Sequence, residues 1–121
     1  MGLLLRLRMN AQAGKLLRIY INEQDRYGGK PLYEAIVDRC RALKLAGVTV
    51  FRAFEGFGET AELHRKHVFR NDQSIVITII ERPEKVEQVL PEFEGMMNSG
   101  MIAVTDVEVT VVSNGTRGAL P

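Results

Sequence analysis

Residues 74–80 read Ser-Ile-Val-Ile-Thr-Ile-Ile, and this run restricts the fold more than any other stretch. Successive side chains of a strand point to opposite faces, so Ile75, Ile77 and Ile79 share one face and Val76, Thr78 and Ile80 the other. A strand with water on one side alternates apolar and polar residues; this one is apolar on both. Helices must cover one face, and something further must cover the second. A bare hydrophobic sheet face of several hundred Å² is a liability on a monomer. The expected cover is another copy of the chain, and the alternative is the segment Leu3 to Leu7 folded back across the sheet.

The remaining elements follow in order. Lys15 to Glu23 reads as a strand, with Leu17, Ile19 and Ile21 on one side and Leu16, Arg18 and Tyr20 on the other. Asp25 to Lys30 is a polar turn with paired glycines. Pro31 suits a first helical position, and Leu32, Ile36, Val37, Cys40 and Leu43 follow at helical spacing, with Gly47 as the terminator. Val48 to Phe54 alternates as a second strand. After the third strand, Arg82-Pro83 opens a second helix with the stripe Val86, Val89, Leu90, Phe93, Met96 and Met97, bent or weakened at Pro91. Asn98-Ser99-Gly100 ends it, and Ile102 to Val112 forms the last strand.

The order is βαβ, a long loop, βαβ, each half taking about forty residues. Two right-handed βαβ units interleaved in one sheet give an α+β, ferredoxin-like βαββαβ sandwich, a four-stranded antiparallel sheet with two helices on one face. The expected organisation is an N-terminal tail (1–14), the domain (15–112) with its long loop (55–73), and a disordered C-terminal tail (113–121). Met9 is an alternative start.

The loop is the candidate for function. Between Gly56-Phe57-Gly58 and Ser74 all periodicity stops for roughly 16 to 19 residues, far above the usual ~4–6, and loops of that length usually carry function. Its charges are sorted, Glu55, Glu59 and Glu62 before Arg65, Lys66 and Arg70, a pattern that fits a docking element ordering against a partner.

Composition narrows the classes. The 121 residues suffice for one domain, and 45% apolar with 26% charged residues is a soluble globular profile. A net charge of +1 argues against a dedicated nucleic-acid binder. Base stacking on the sheet would have only Tyr20 and Phe51 to use. A single cysteine, Cys40, allows no internal disulfide and points to a reducing cytoplasm. No run has the length of a membrane span, and the N-terminus lacks a signal cleavage site.

Taken together, GKPLYEAIVDRC, AGVTVFRAFEGFG, LHRKHVFR, SIVITIIERPEKVEQVLPEFEGM and DVEVTVV resemble the PII-like family called domain of unknown function 190, over Lys15 to Val112. GVTV…GFG also resembles the strand entering the T-loop of classical PII signalling proteins. The resemblance implies a homotrimer of ferredoxin-like subunits that binds adenine nucleotides in clefts between subunits. Its T-loop, here residues 59–72, would dock on a target such as a transporter or an enzyme. Carried over, Gly47, Val48 and Thr49 fall where PII proteins line the adenine pocket, Gly56, Phe57 and Gly58 at the T-loop base, and Asn98, Ser99 and Gly100 at the loop that holds phosphate. Two departures count against tight ATP binding in the PII manner. Met101 stands where classical PII proteins carry a phosphate-binding lysine, and Val107 to Val112 has no counterpart of the arginines in the last PII strand. A nucleotide of lower phosphate charge, another small ligand, or none at all remains open.

Other candidates carry competing readings. Gly56-Phe57-Gly58 is either a phosphate nest or a simple exit from the sheet. Arg52 is the best remaining phosphate cation if it faces the cleft, and otherwise a surface ion pair. His64 and His67, with Glu62 nearby, are weak candidates for a divalent metal, and Cys40 on its helical stripe is packing. A PII-like regulator and non-enzyme is the leading reading. The alternatives are a metal-responsive trimer resembling the divalent-cation-tolerance proteins and a small phosphohydrolase using Arg26 in the first turn.

Overall fold

The structure, a computed structural model, describes residues 11–53 and 74–121. In chain order it contains β1 (Gln12–Asn22), a minimal hairpin of β2 (Arg26–Tyr27) and β3 (Lys30–Pro31), helix α1 (Leu32–Ala42), β4 (Val48–Arg52), β5 (Ser74–Glu81), helix α2 (Pro83–Met96), β6 (Met101–Val109), and a second hairpin of β7 (Val111–Ser113) and β8 (Thr116–Gly118). The main sheet is antiparallel in the order β4-β5-β1-β6. This is the ferredoxin-like arrangement expected from the alternation of elements, and the long strands β1 and β5 occupy its centre.

Register explains the burial. Leu17 lies opposite Ile79 and Val104, and Ile19 opposite Ile77 and Ile102. The side chains of Leu17, Ile19, Ile21, Ile75, Ile77 and Ile79 thus form one continuous inner face, and all are buried. The two helices cover it with Leu32, Ala35, Ile36 and Cys40 from α1 and Val86, Val89, Phe93 and Met96 from α2. The i, i+3, i+4 spacing of these residues places them on one stripe per helix. Pro83 occupies the first turn of α2, where its missing N–H has no intrahelical partner to lose. Pro91 sits on the exposed side of the same helix, which runs on to Met96.

The opposite face of the sheet is uncovered among the described residues. Phe51, Val76, Tyr20 and Met101 form one row across it, and Ile80 and Leu16 begin another. Phe51 is 52% exposed and Met101 57% exposed, while Ile80 retains 42%. The two-sided apolar character of Ser74–Ile80 has this structural counterpart: Ile75, Ile77 and Ile79 are in the core, and Val76 and Ile80 are outside it.

Several boundaries differ from the sequence reading. β1 begins at Gln12 rather than Lys15, so Gln12–Gly14 belong to the sheet and not to a tail, with Gln12 paired to Val109. The last strand stops at Val109. The chain beyond it is not a patternless tail but the β7-β8 hairpin, with Ser113 opposite Thr116. Asn114 and Gly115 have φ of 50° and 77°, the two positive values that a two-residue hairpin turn of the mirror-image kind requires. Asn-Gly was the available signal, but its flanks are exposed and lack the alternation that marks a half-buried strand. The backbone N–H of Leu120 donates to Gln12 Oε1, tying this end of the chain to β1.

Gly47 is also not the residue that ends α1. The helix closes on Leu43, and Lys44 takes the left-handed conformation with φ of 58°. Leu45 N–H donates to the Cys40 carbonyl (3.0 Å) and Lys44 N–H to the Arg41 carbonyl (3.1 Å). These are the paired hydrogen bonds of a Schellman ending, built here on a lysine.

Candidate functional site

The C-terminal end of α2 opens into a cleft of about 460 Å³. Leu90, Glu94 and Met97, at i, i+4 and i+7, supply one wall. Asn98, Ser99 and Gly100 form the floor, and Met101, Ile102 and Val104 on β6 the second wall. Met97 leaves the helix in an extended conformation, its N–H donating to the Glu94 carbonyl at 3.3 Å. A sharp return into β6 is then needed, and Gly100 makes it with φ of +123°. A Cβ at this position would lie 2.5 Å from the Tyr20 carbonyl oxygen and 2.9 Å from Met97 Cε, so a side chain would force the loop away from the end of β1.

Among the described residues that line the cleft, Glu94 is the only ionisable one. The last turn of α2 carries no basic residue, so none of the helix's own side chains there offsets the partial negative charge of its C-terminus. The other described lining residues are apolar or neutral, and Met97 among them adapts readily to a ligand's shape.

The residues singled out from sequence fall in separate places. Asn98, Ser99 and Gly100 line the cleft. Gly47, Val48 and Thr49 lie at the start of β4, the opposite edge strand, with Val48 facing Ile79 and Thr49 facing Thr78. Arg52 ends that strand and its guanidinium bonds the Glu23 carboxylate, so the ion-pair reading of Arg52 describes it. The end of β4 and the start of β6 occupy the same end of the sheet, since Arg52 pairs with Ile75, Ile21 with Ile75, and Tyr20 with Met101. They are three strand spacings apart, about 14 Å. One chain therefore does not bring Arg52 to Asn98–Gly100.

Gly56, Phe57, Gly58, Glu59, Glu62, His64, Arg65, Lys66, His67 and Arg70 lie outside the described residues. Among the described residues there is no group of three His, Cys, Asp or Glu able to hold a metal, and no helix is long and apolar enough to cross a membrane. The Arg26 guanidinium donates to the Gly29 carbonyl at 2.8 Å, within its own turn. Cys40 is buried against the core, and desolvation pushes its thiol up to about 11.

Leu90, Glu94, Met97, Ile102 and Val104 were not anticipated as site residues. Leu90 and Met97 belong to the packing stripe read from the sequence of α2. They do pack against the core at its margin, and they face the cleft as well because they lie, with Glu94 between them, beside the buried line of Val86, Val89, Phe93 and Met96.

Comparison with known proteins gives a consistent picture. The family domain of unknown function 190, described as Uncharacterized ACR, matches residues 14–109. A UPF0166 protein of Aquifex aeolicus is 40% identical over 97 residues, spanning 78% of this chain and 91% of the relative. A UPF0166 protein of Methanocaldococcus jannaschii is 29% identical over 98 residues, spanning 78% and 90% respectively. Among solved structures, CPII of Thiomonas intermedia K12 bound to ADP and bicarbonate superposes with a TM-score of 0.56 at 22% identity, covering 82% of this chain and 90% of CPII. The same protein, described as a nitrogen regulatory PII-like protein and bound to ADP, AMP and bicarbonate, gives 0.54 at 21% identity, again covering 82% of this chain and 90% of CPII. The likeness to CPII establishes a shared fold.

Proposed function

The chain belongs to the family domain of unknown function 190, and we propose that it is a PII-like regulatory protein rather than an enzyme. It assembles as a homotrimer, binds a small molecule in the clefts between subunits, and signals to a partner protein through residues 59–72. An adenine nucleotide is the first candidate ligand, supported by the ADP and AMP held by CPII. The partner is a target protein such as a membrane transporter, and the loop would change its preferred conformation when ligand selects one state of its base.

The carrying observation is the split of the candidate residues between the two edges of the sheet. The end of β4 and the cleft at the start of β6 lie about 14 Å apart in one chain. A head-to-tail ring sets unlike edges of neighbouring copies against each other, which would bring these two groups together. The apolar face carrying Phe51, Ile80 and Met101 supplies the surface that such a ring would bury.

Two measurements test the reading. Sedimentation equilibrium of the full chain at micromolar concentration is expected to give three times the chain mass, and Ile80→Asp to shift it toward one. Thermal unfolding with AMP, ADP, ATP, cyclic AMP, zinc and copper is expected to show a rise with an adenine nucleotide, since only a ligand favouring the native state raises the midpoint. A single-chain mass would remove the shared clefts. A rise with metal alone would favour the metal-responsive alternative.

A further inference from the structure

We infer that Arg18 holds inorganic phosphate on the sheet face turned away from the helices, where copies of the chain meet. This rests on the reading of the protein as a ring of identical chains that buries this face. The site is separate from the cleft at the end of α2, whose Ile102 and Val104 share the inner face with Ile19 and Leu17. Register places it. Arg18 stands in the middle of β1, a central strand, opposite Thr78 of β5 on one side and Ala103 of β6 on the other. Thr49 of β4 continues the row beyond Thr78. A polar row thus crosses the face between apolar neighbours, Val76 with Tyr20 on one flank and Ile80 with Leu16 on the other. By the alternation of side chains along a strand, Arg18 is the only charged residue that the described strands of the main sheet place on this face. It is half-buried already in one chain. Among the described residues no hydrogen bond or ion pair engages its guanidinium.

A guanidinium in this position requires an anion once the face is covered. Taking a charge out of water costs free energy that only a close counter-charge and hydrogen bonds restore. In a closed ring that buries this face, every copy turns the same face inward, so what each neighbour's described strands add there is another Arg18. Converging cations repel one another unless an anion sits among them. The planar fork of arginine suits two oxygens of one oxyanion. The Thr78 hydroxyl, one strand spacing away at about 4.8 Å, can donate to the same anion, and the small side chain of Ala103 leaves room on the other side. Phosphate bound there favours the assembled chains over the separate one, which couples assembly to the anion.

Thermal unfolding and sedimentation equilibrium of the full chain test this, with inorganic phosphate exchanged for chloride at constant ionic strength, in wild type, Arg18→Met and Thr78→Val. The wild-type midpoint is expected to rise by roughly 3–6 °C at ten times the phosphate concentration of half effect. Arg18→Met is expected to abolish the rise and keep the oligomer mass, because an apolar side chain of similar length fits a buried face without a counter-ion. Thr78→Val keeps the shape and loses the hydroxyl, and is expected to raise the half-effect concentration roughly fivefold. AMP, whose proposed place is between the sheet edges, is expected to give a rise that Arg18→Met leaves unchanged. Equal phosphate effects in wild type and Arg18→Met, or none in a wild type that sediments as an oligomer, would overturn the inference and leave the ring in place. Loss of both the phosphate and the AMP effect in Arg18→Met would assign Arg18 to the nucleotide and overturn it too. Should Arg18→Met fail to fold or assemble, an unchanged half-effect concentration in Thr78→Val would do the same. A single-chain wild-type mass in every buffer would overturn the ring and the inference together.

Discussion

The carboxylate of Glu81, fully buried at the end of β5, accepts a hydrogen bond from the backbone N–H of Ala46, 35 positions earlier in the chain, at 2.6 Å. Its other oxygen accepts from the N–H of Arg82 at 3.1 Å. Arg82 is the N-cap residue of α2 and offers no side-chain cap of its own. One acidic side chain thus fastens the α1–β4 connection to the β5–α2 junction. It is the only polar or charged side chain among the described residues that is fully buried.

Replacing Glu81 with alanine leaves two donors without acceptors in a partly buried place, at about 1–3 kcal/mol for each unsatisfied group. A total loss of about 2–4 kcal/mol in urea unfolding is expected, with Glu81→Gln losing less because one amide oxygen still accepts. A variant as stable as wild type would show that water serves the two N–H groups equally well.

Lys44 carries a cost at the end of α1. It holds φ of 58°, a conformation that strains a residue with a Cβ by about 1 kcal/mol or more. Its side chain takes no part in the Schellman hydrogen bonds, which are all backbone. Lys44→Gly should therefore stabilise the protein by about 1 kcal/mol, read as a higher urea midpoint at an unchanged slope.

Cys40 should behave as a buried thiol. Desolvation pushes it from 9.0 up to about 11, and the thiolate is the reactive form. A disulfide reagent at pH 8 is expected to label the native protein slowly and the urea-unfolded protein at once. The raised value also sets a sign for stability. An acid whose folded value lies above its unfolded one contributes fully below pH 9, and that contribution is lost as pH rises from 9 toward 11. Cys40→Ala should show a shallower loss over the same range.

Gly100 joins fold and cleft. With φ of +123° and the Tyr20 carbonyl 2.5 Å from where a Cβ would stand, Gly100→Ala is expected to cost about 2–3 kcal/mol. It should also weaken any ligand of the cleft by displacing Asn98 and Ser99. Retention of both full stability and ligand affinity would show that the turn can be rebuilt without a glycine.

Much of the architecture was legible because the signals for it are local. Alternation in Leu17–Ile21 and Ile75–Ile79 placed the inner face correctly, and the stripe Val86, Val89, Phe93, Met96 marked the buried side of α2. Less of the site was legible. Asn98, Ser99 and Gly100 entered through a resemblance, while Glu94, Leu90 and Met97 look like ordinary helix residues until the helix ends beside β6. Arg52 could not be assigned, because its partner Glu23 belongs to a different part of the chain. The C-terminal hairpin was missed because Asn114-Gly115 is flanked by exposed residues with no buried face to impose a period.

By itself the amino-acid order determined a βαββαβ chain with a sheet apolar on both faces, since side-chain periodicity is set within a few residues by backbone geometry. Only the tertiary structure decided that β4 and β6 form the two edges of the sheet, that Lys44 rather than Gly47 turns the chain after α1, that Glu81 is buried between two junctions, and that Glu94 lines the cleft at the end of α2. Each of these depends on groups far apart in sequence or on a turn whose strain the packing around it sustains, and no local pattern records either.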